Sequence, residues 1–275
     1  MDFSRRMHYV KAMRYRAAFS LVELSIVLVI LGLLTGGILG GQSLIRAAEM
    51  RAISTEYQRF QTATGTFRDK YFSIPGDFRD ATRFWGRTRS TGDCVSNSAS
   101  AVATPGTCDG DGDGLIELPS AAWNPDQSGE NFQFWRHMQL AGLVEGSITG
   151  LSPPTGGGTH MQPSYSMPSK QGGAYWNMFS DFTWVGAANF AAGTSGTNSY
   201  LLRGKGTYEG SLSQSEMWNI DTKIDDGIPT AGVIVTKTQG WGGPGNCVTG
   251  AVPNGVYFLQ YEVANACQFV ARNQL

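Results

Sequence analysis

Between Leu24 and Ile45 the chain runs for 22 residues without a charge. At 1.5 Å per residue, a helix of that length covers the roughly 30 Å hydrocarbon core of a bilayer. One acid, Glu23, heads the run, in the sequence Phe19–Ser20–Leu21–Val22–Glu23. A charged side chain within a membrane costs a few kcal/mol, on the order of 3, and so calls for a partner. The residues before the run are basic. Arg5, Arg6, Lys11, Arg14 and Arg16 stand against Asp2, a net of +4 over residues 1–18. Positive charge ahead of a first apolar span holds that end in the cytoplasm and sends the C-terminal bulk outward. An ordinary secretory signal would place its small-residue cut site after a short apolar core. Here the small pair Ala17–Ala18 comes before a long one. A plain signal-anchor helix accounts for the length, but not for Glu23 or the Ala18–Phe19 junction.

A basic leader, a small residue, Phe, three residues, Glu and about twenty apolar residues together resemble the N-terminus of type IV prepilins and type II secretion pseudopilins. The resemblance covers about Arg16–Arg46. In that family a prepilin peptidase cuts just before the aromatic residue and methylates the new N-terminus. The resemblance implies cleavage between Ala18 and Phe19. Most members carry Gly where this chain has Ala18, the nearest substitute in size. Loss of the leader takes the formal net charge from −1 to −5. The resemblance also implies that the Glu23 carboxylate pairs with the N-terminal amine of a neighbouring subunit. A buried anion needs a cation, and a free amine at Phe19 supplies one. The implied partners are prepilin peptidase and other pilin subunits. The implied location is the bacterial inner membrane, single-pass with the C-terminal domain outside the cytoplasm, then a periplasmic pseudopilus or extracellular pilus.

Gly32, Gly36 and Gly40, with Gly37 and Gly41, repeat every four residues and give the helix a small face for close packing. Their low helix propensity makes Thr35–Gly41 its weak point. Beyond Arg46 the positions Met50, Ile53, Tyr57, Phe60, Thr64, Phe67 and Tyr71 recur at spacings of three and four. That predicts an amphipathic continuation of the same helix, from about Phe19 to Tyr71, with Arg51, Glu56, Arg59, Arg68 and Asp69 on its other faces. Ser73–Ile74–Pro75–Gly76 ends it. The expected organisation is a cleaved leader at 1–18, a membrane and filament-core helix at 19–45, and an exported globular domain at 46–275.

In that domain the patterning predicts helices at Asp77–Trp85 and Gln127–Val144 and a Gly/Pro-rich loop at Ser152–Gly173. Strands are expected at Ala174–Val185, Tyr200–Tyr208, Gly232–Lys237 and Val256–Val263. Ser213–Gln214–Ser215–Glu216 is a capping box that opens a helix with Met217, Ile220 and Ile224 inward, closed by Gly227 and Pro229. The fold class is α+β and pilin-like: a long N-terminal helix packed on an antiparallel sheet, with long loop and helix insertions.

All four cysteines, Cys94, Cys108, Cys247 and Cys267, follow the apolar run. An even number in an exported domain suggests disulfides, and the local pairs Cys94–Cys108 and Cys247–Cys267 are favoured among three connectivities. Asp109, Asp111 and Asp113 alternate with glycines and are followed by Leu115 and Glu117. This resembles the first half of an EF-hand loop, with the Leu115 carbonyl as a further ligand. Ser120 stands at the twelfth position, where a bidentate Glu belongs, so Glu130 is the candidate to close a Ca²⁺ site. Asp221, Asp225 and Asp226 read as a solvated helix end. No nucleophile, zinc or phosphate-loop motif is present, so no enzyme is expected. A mature charge of −5 without a basic patch argues against nucleic acid.

The chain thus reads as a structural subunit of a type IV pilus or pseudopilus. The size of its globular domain favours a minor or specialised pilin, with adhesion among the roles open to it. Within the family the alternative is a type II secretion pseudopilin. Outside it, the alternative is a membrane-tethered, calcium-stabilised binding or adhesion protein that does not polymerise.

Overall fold

The computed structural model describes residues 20–87, 106–117, 129–151, 166–180, 196–204, 209–236, 247–249, 254–260 and 262–272. Ala18, Phe19 and Cys94 lie outside them. The chain divides into two compact units, residues 1–47 and 48–275.

Helix α1 runs from Leu21 to Tyr71, 51 residues. In the first unit its apolar side chains, from Leu21 to Ile45, are exposed. A Cβ added at Gly32, Gly36, Gly37, Gly40 or Gly41 would meet nothing within 4 Å. Among the described residues α1 is the one helix long and apolar enough to cross a membrane.

In the second unit α1 buries Ile53, Tyr57, Phe60, Thr64 and Phe67 of the stripe that the three-and-four spacing predicts, with Ala63 beside them, while Met50 and Tyr71 at its ends are half-buried. Glu56 is buried on the same face rather than solvated. Its carboxylate accepts hydrogen bonds from the Ser169 hydroxyl (2.6 Å), the Lys170 amide (2.7 Å) and the Trp176 indole (2.8 Å).

Strands β1 (Met167–Pro168), β2 (Ala174–Phe179), β3 (Ser199–Gly204), β4 (Ile234–Val235) and β7 (Phe269–Arg272) form an antiparallel sheet of order β1-β2-β3-β7-β4. β5 (Val248–Thr249) and β6 (Val256–Tyr257) form a separate antiparallel pair. The C-terminal strand thus enters between β3 and β4. All six residues of β3 are buried, as befits a central strand covered on both faces. Edge-to-face rings join α1 to the sheet: Tyr57 to Tyr200 (5.7 Å) and Phe269 (5.6 Å), and Phe60 to Trp176 (5.7 Å). Each such pair adds about 1 kcal/mol beyond the area it buries. Helix α3 (Glu130–Leu140) brings Trp135 to 4.8 Å from Phe60.

The predicted elements are present but shorter. α2 is Ala81–Trp85, because Asp77 turns away from the helix to accept amides of the 106–117 segment. The expected strand at 256–263 is ordered as β6 only over Val256–Tyr257, then turns. The expected strands at 174–185, 200–208 and 232–237 run partly outside the described residues. Helix α4 (Gln214–Ile224) opens with the predicted capping box: Ser213 and Glu216 each accept the other's backbone amide.

Cys247 and Cys267 form a disulfide, with 5.0 Å between their Cα atoms, and tie the start of β5 to the segment entering β7. Cys108 is also disulfide-bonded.

Candidate functional site

Two places carry the chemistry expected from sequence. At the start of α1 the Ser20 amide donates to Glu23 Oε2 (2.9 Å), and the Val22 amide donates to the Ser20 hydroxyl (3.3 Å). Ser20 thus caps the helix through its hydroxyl, and the Glu23 carboxylate reaches back to the Ser20 amide. The S-x-x-E spacing that sets this up is local in the sequence. Glu23 satisfies a donor that the helix end would otherwise leave open.

The second place is the acidic loop 109–117. Gly110 packs so closely on the turn before α2 that a Cβ there would sit 2.4 Å from the Asp77 Cα. Gly112 and Gly114 have φ of +70° and +93°, in the region glycine favours. The coil wraps around two acids from outside it. Asp77 accepts the amides of Gly112 and of Gly114 (2.8 Å). Glu130, at the first turn of α3, accepts those of Asp111 (3.0 Å) and Glu117 (3.2 Å). Asp111 and Asp113 each accept the amide two residues on, at 3.1 and 2.8 Å. The Leu115 amide is the donor of the second of these turns.

The carboxylates fall into two groups that share Asp111. Asp77, Asp111 and Asp113 offer oxygens within 4.8 Å of one another, and so do Asp111, Glu117 and Glu130. Glu130 thus lies against the loop, beside Asp111 and Glu117. Asp109 does not join either group. Its two oxygens accept the amide and hydroxyl of Thr82, each at 2.7 Å, and it serves instead to fix the start of α2. Asp77 was missed because it lies more than thirty residues upstream, in a Pro-Gly-Asp turn. The wish of such a tight coil for amide acceptors is the only signal that points to it.

Burial first, opposed by the Gly114 and Gly112 amides and reinforced by Asp111 and Asp113, pushes Asp77 up to about 6. Burial and the adjoining Glu117 carboxyl push Glu130 well above the usual range. Burial likewise raises Glu117. Three carboxyls raised together mark a site short of positive charge.

The second acidic set differs from its sequence reading. Asp221 is fully buried and accepts from the Tyr257 hydroxyl (2.6 Å), and burial raises it to about 6. Asp225 accepts the Val233 and Ile234 amides and ties β4 to the end of α4. Asp221 and Asp225 thus hold the fold around β6 and β4, while Asp226 is exposed, as its sequence reading has it.

His137 is also structural. Its Nδ1 accepts the Gly76 amide (2.9 Å), so Nε2 carries the proton and lies 2.7 Å from the Thr107 hydroxyl. Burial pushes it down to about 3.

Residues 13–39 match the family described as the prokaryotic N-terminal methylation motif. Together with the long apolar helix, this supports a type IV pilin-like protein. The match brackets Ala18, Phe19 and Glu23 and stops within the apolar half of α1. No curated protein and no solved structure matches the chain. The motif implies processing by prepilin peptidase and assembly with other pilin subunits. It and the apolar helix are consistent with anchoring in the inner membrane before assembly.

Proposed function

We propose that this pilin-like chain is a structural subunit, minor or specialised, of a type IV pilus or pseudopilus. It is cut between Ala18 and Phe19 and assembles through α1, with Glu23 paired to the amine of a neighbouring Phe19. The methylation motif over 13–39 carries this reading. The exposed apolar face of α1 supports it, since that face needs lipid or other helices around it.

The acidic loop adds a calcium site that stabilises the exported domain. Asp111, Asp113, Glu117 and Glu130 are its side-chain ligands, with Asp77 holding the coil in shape. The crowding of raised carboxyls supports a divalent cation there, because hard oxygen donors at this density suit calcium.

Intact-mass measurement of membrane-extracted protein tests the assignment. A mature chain beginning at Phe19, methylated, is expected. Retention of residues 1–18 in cells with an active prepilin peptidase overturns it. Correct processing with complete absence from sheared filaments favours the tethered, non-polymerising alternative.

A further inference from the structure

Five places in the chain set an Asp or Asn directly before glycine: Asp109–Gly110, Asp111–Gly112, Asp113–Gly114, Asp226–Gly227 and Asn254–Gly255. In such a pair the amide nitrogen of the glycine can attack the side-chain carbonyl carbon of the residue before it. Glycine favours the attack because no side chain crowds the closing ring. The attack also needs an amide that is not held in a hydrogen bond. The fold ties up four of the five amides. Gly110 donates to the Phe78 carbonyl (3.0 Å), Gly112 and Gly114 donate to Asp77, and Gly227 donates to Asp221 Oδ1 (3.3 Å).

Asn254–Gly255 is placed differently. Asn254 is exposed, in the segment that leads into β6. Among the described residues no acceptor takes the Gly255 amide, and no group holds the Asn254 side chain. Packing also leaves no choice of residue at 255. A Cβ there would sit 2.6 Å from Val248 Cγ1 and 2.7 Å from Thr230 Cγ2. The β5–β6 pair therefore requires the one neighbour that leaves an asparagine, itself a thermally labile side chain, most reactive. Gly255 is buried, but the reacting atoms are neighbours in the chain and the leaving group departs from the exposed Asn254.

We propose that Asn254 is a site of spontaneous covalent modification, converting to isoaspartate through a cyclic imide. The Gly255 nitrogen bonds to Asn254 Cγ, the Cγ–Nδ2 bond breaks, and the proton of the attacking nitrogen leaves with the amide group as ammonia. Water then opens the ring. Opening at the main-chain carbonyl carbon gives isoaspartate, opening at Cγ gives aspartate, and either product carries a new carboxylate. Isoaspartate routes the main chain through Cγ and so inserts one methylene just before β6. The pairing of Val248 with Tyr257 and of Thr249 with Val256 then loses its spacing, and the Tyr257 hydroxyl is drawn away from Asp221. The Cys247–Cys267 disulfide keeps the loosened segment attached. The proposal does not depend on membrane insertion or polymerisation.

The test ages the full chain for days at pH 7.5, folded in detergent micelles and, in parallel, unfolded in guanidinium chloride. Peptide mass spectrometry with electron-transfer fragmentation locates each product. An isoaspartyl carboxyl methyltransferase with labelled S-adenosylmethionine counts the isoaspartate formed. Folding should slow the four Asp–Gly pairs at least about tenfold, roughly 1.4 kcal/mol of added barrier, and leave Asn254 nearly unchanged. Asn254→Gln should remove most of the methyl-accepting signal of the folded chain, because glutamine must close a larger ring. Aged wild type should melt below aged Asn254→Gln. Suppression of Asn254 by folding to the same degree as the Asp–Gly pairs would show that the fold protects it too, and overturn the proposal. So would an undiminished methyl-accepting signal in Asn254→Gln. Equal melting of the two aged chains, with isoaspartate present at 254, would overturn the effect on β6.

Discussion

The Trp176 indole donates to Glu56 across 2.8 Å, inside the interface between α1 and β2. The Ser169 hydroxyl and the Lys170 amide complete a set of three donors around one carboxylate. The cluster pins the rotation of α1 on the sheet. A shift of one residue would swing Glu56 about 100° away from β2. Glu56→Leu would leave the indole and an amide without an acceptor. A loss of about 2–4 kcal/mol is expected, against about 1 for Glu56→Gln, which keeps an acceptor. Urea unfolding of the full chain in micelles checks this, and a leucine variant as stable as wild type refutes the pinning role.

Glu56 also shows where sequence reading stops. A three-and-four spacing of apolar residues located the buried face of α1, and the stripe from Ile53 to Phe67 follows it. A carboxylate inside that face breaks the pattern unless its donors are known. Those donors come from residues 113 to 120 positions away. The capping box at Ser213 was legible because every partner is local. β7 was not, because four residues near the C-terminus carry little periodicity and gain their place only by pairing with β3 and β4. The acidic loop was half legible. Its alternating aspartates announced a tight coil, but Asp77 and the diversion of Asp109 to Thr82 depend on how that coil lies against α2.

His137 should make the domain sensitive to acid. Its folded value of about 3 lies below the ordinary 6.5, so the unfolded chain binds the proton first. Its contribution is complete above about 6.5 and is lost as pH falls toward 3. His137→Gln should cost on the order of 2 kcal/mol near neutrality through the lost Gly76 and Thr107 bonds. It should also flatten the decline of Tm between pH 6.5 and 4. A variant with an unchanged acid slope would show that another group carries it.

Asp77 acts in the opposite direction. Its folded value of about 6 lies above the ordinary 3.8, so the folded chain holds more protons between those values. In chelator, its contribution to stability is present at low pH and lost as pH rises through about 4 to 6. Asp77→Asn should remove that loss while leaving the His137 slope. An identical pH profile for wild type and Asp77→Asn in chelator would rule this out.

Calcium should reverse the trend, since binding requires ionised ligands and stabilises by mass action. At millimolar calcium, Tm should rise more at pH 7.5 than at pH 5. Asp111→Asn should abolish the rise, because Asp111 is shared by both carboxylate groups. Glu130→Gln should weaken it. Asp109→Asn should lower the starting Tm by loosening α2 yet keep the response, since its oxygens face Thr82. Calorimetry without a calcium signal, and melting indifferent to chelator, would reduce the loop to an acidic coil.

Glu23 separates insertion from assembly. In the single chain its carboxylate accepts the Ser20 amide, which lessens but does not remove the cost of an acid at the head of an apolar helix. Glu23→Leu should insert in the membrane as well as wild type, or better, and be cut at the same bond. Its amount in sheared filaments, relative to total membrane protein on immunoblots, should fall at least about tenfold, the equivalent of roughly 1.4 kcal/mol of lost pairing. Glu23→Gln keeps an acceptor for Ser20 but carries no charge. If capping is what matters, Gln restores incorporation. If the ion pair with a neighbouring amine is what matters, Gln fails as Leu does, which is the outcome expected from a buried anion matched to a free N-terminus. Normal incorporation of both variants would sink the pairing role.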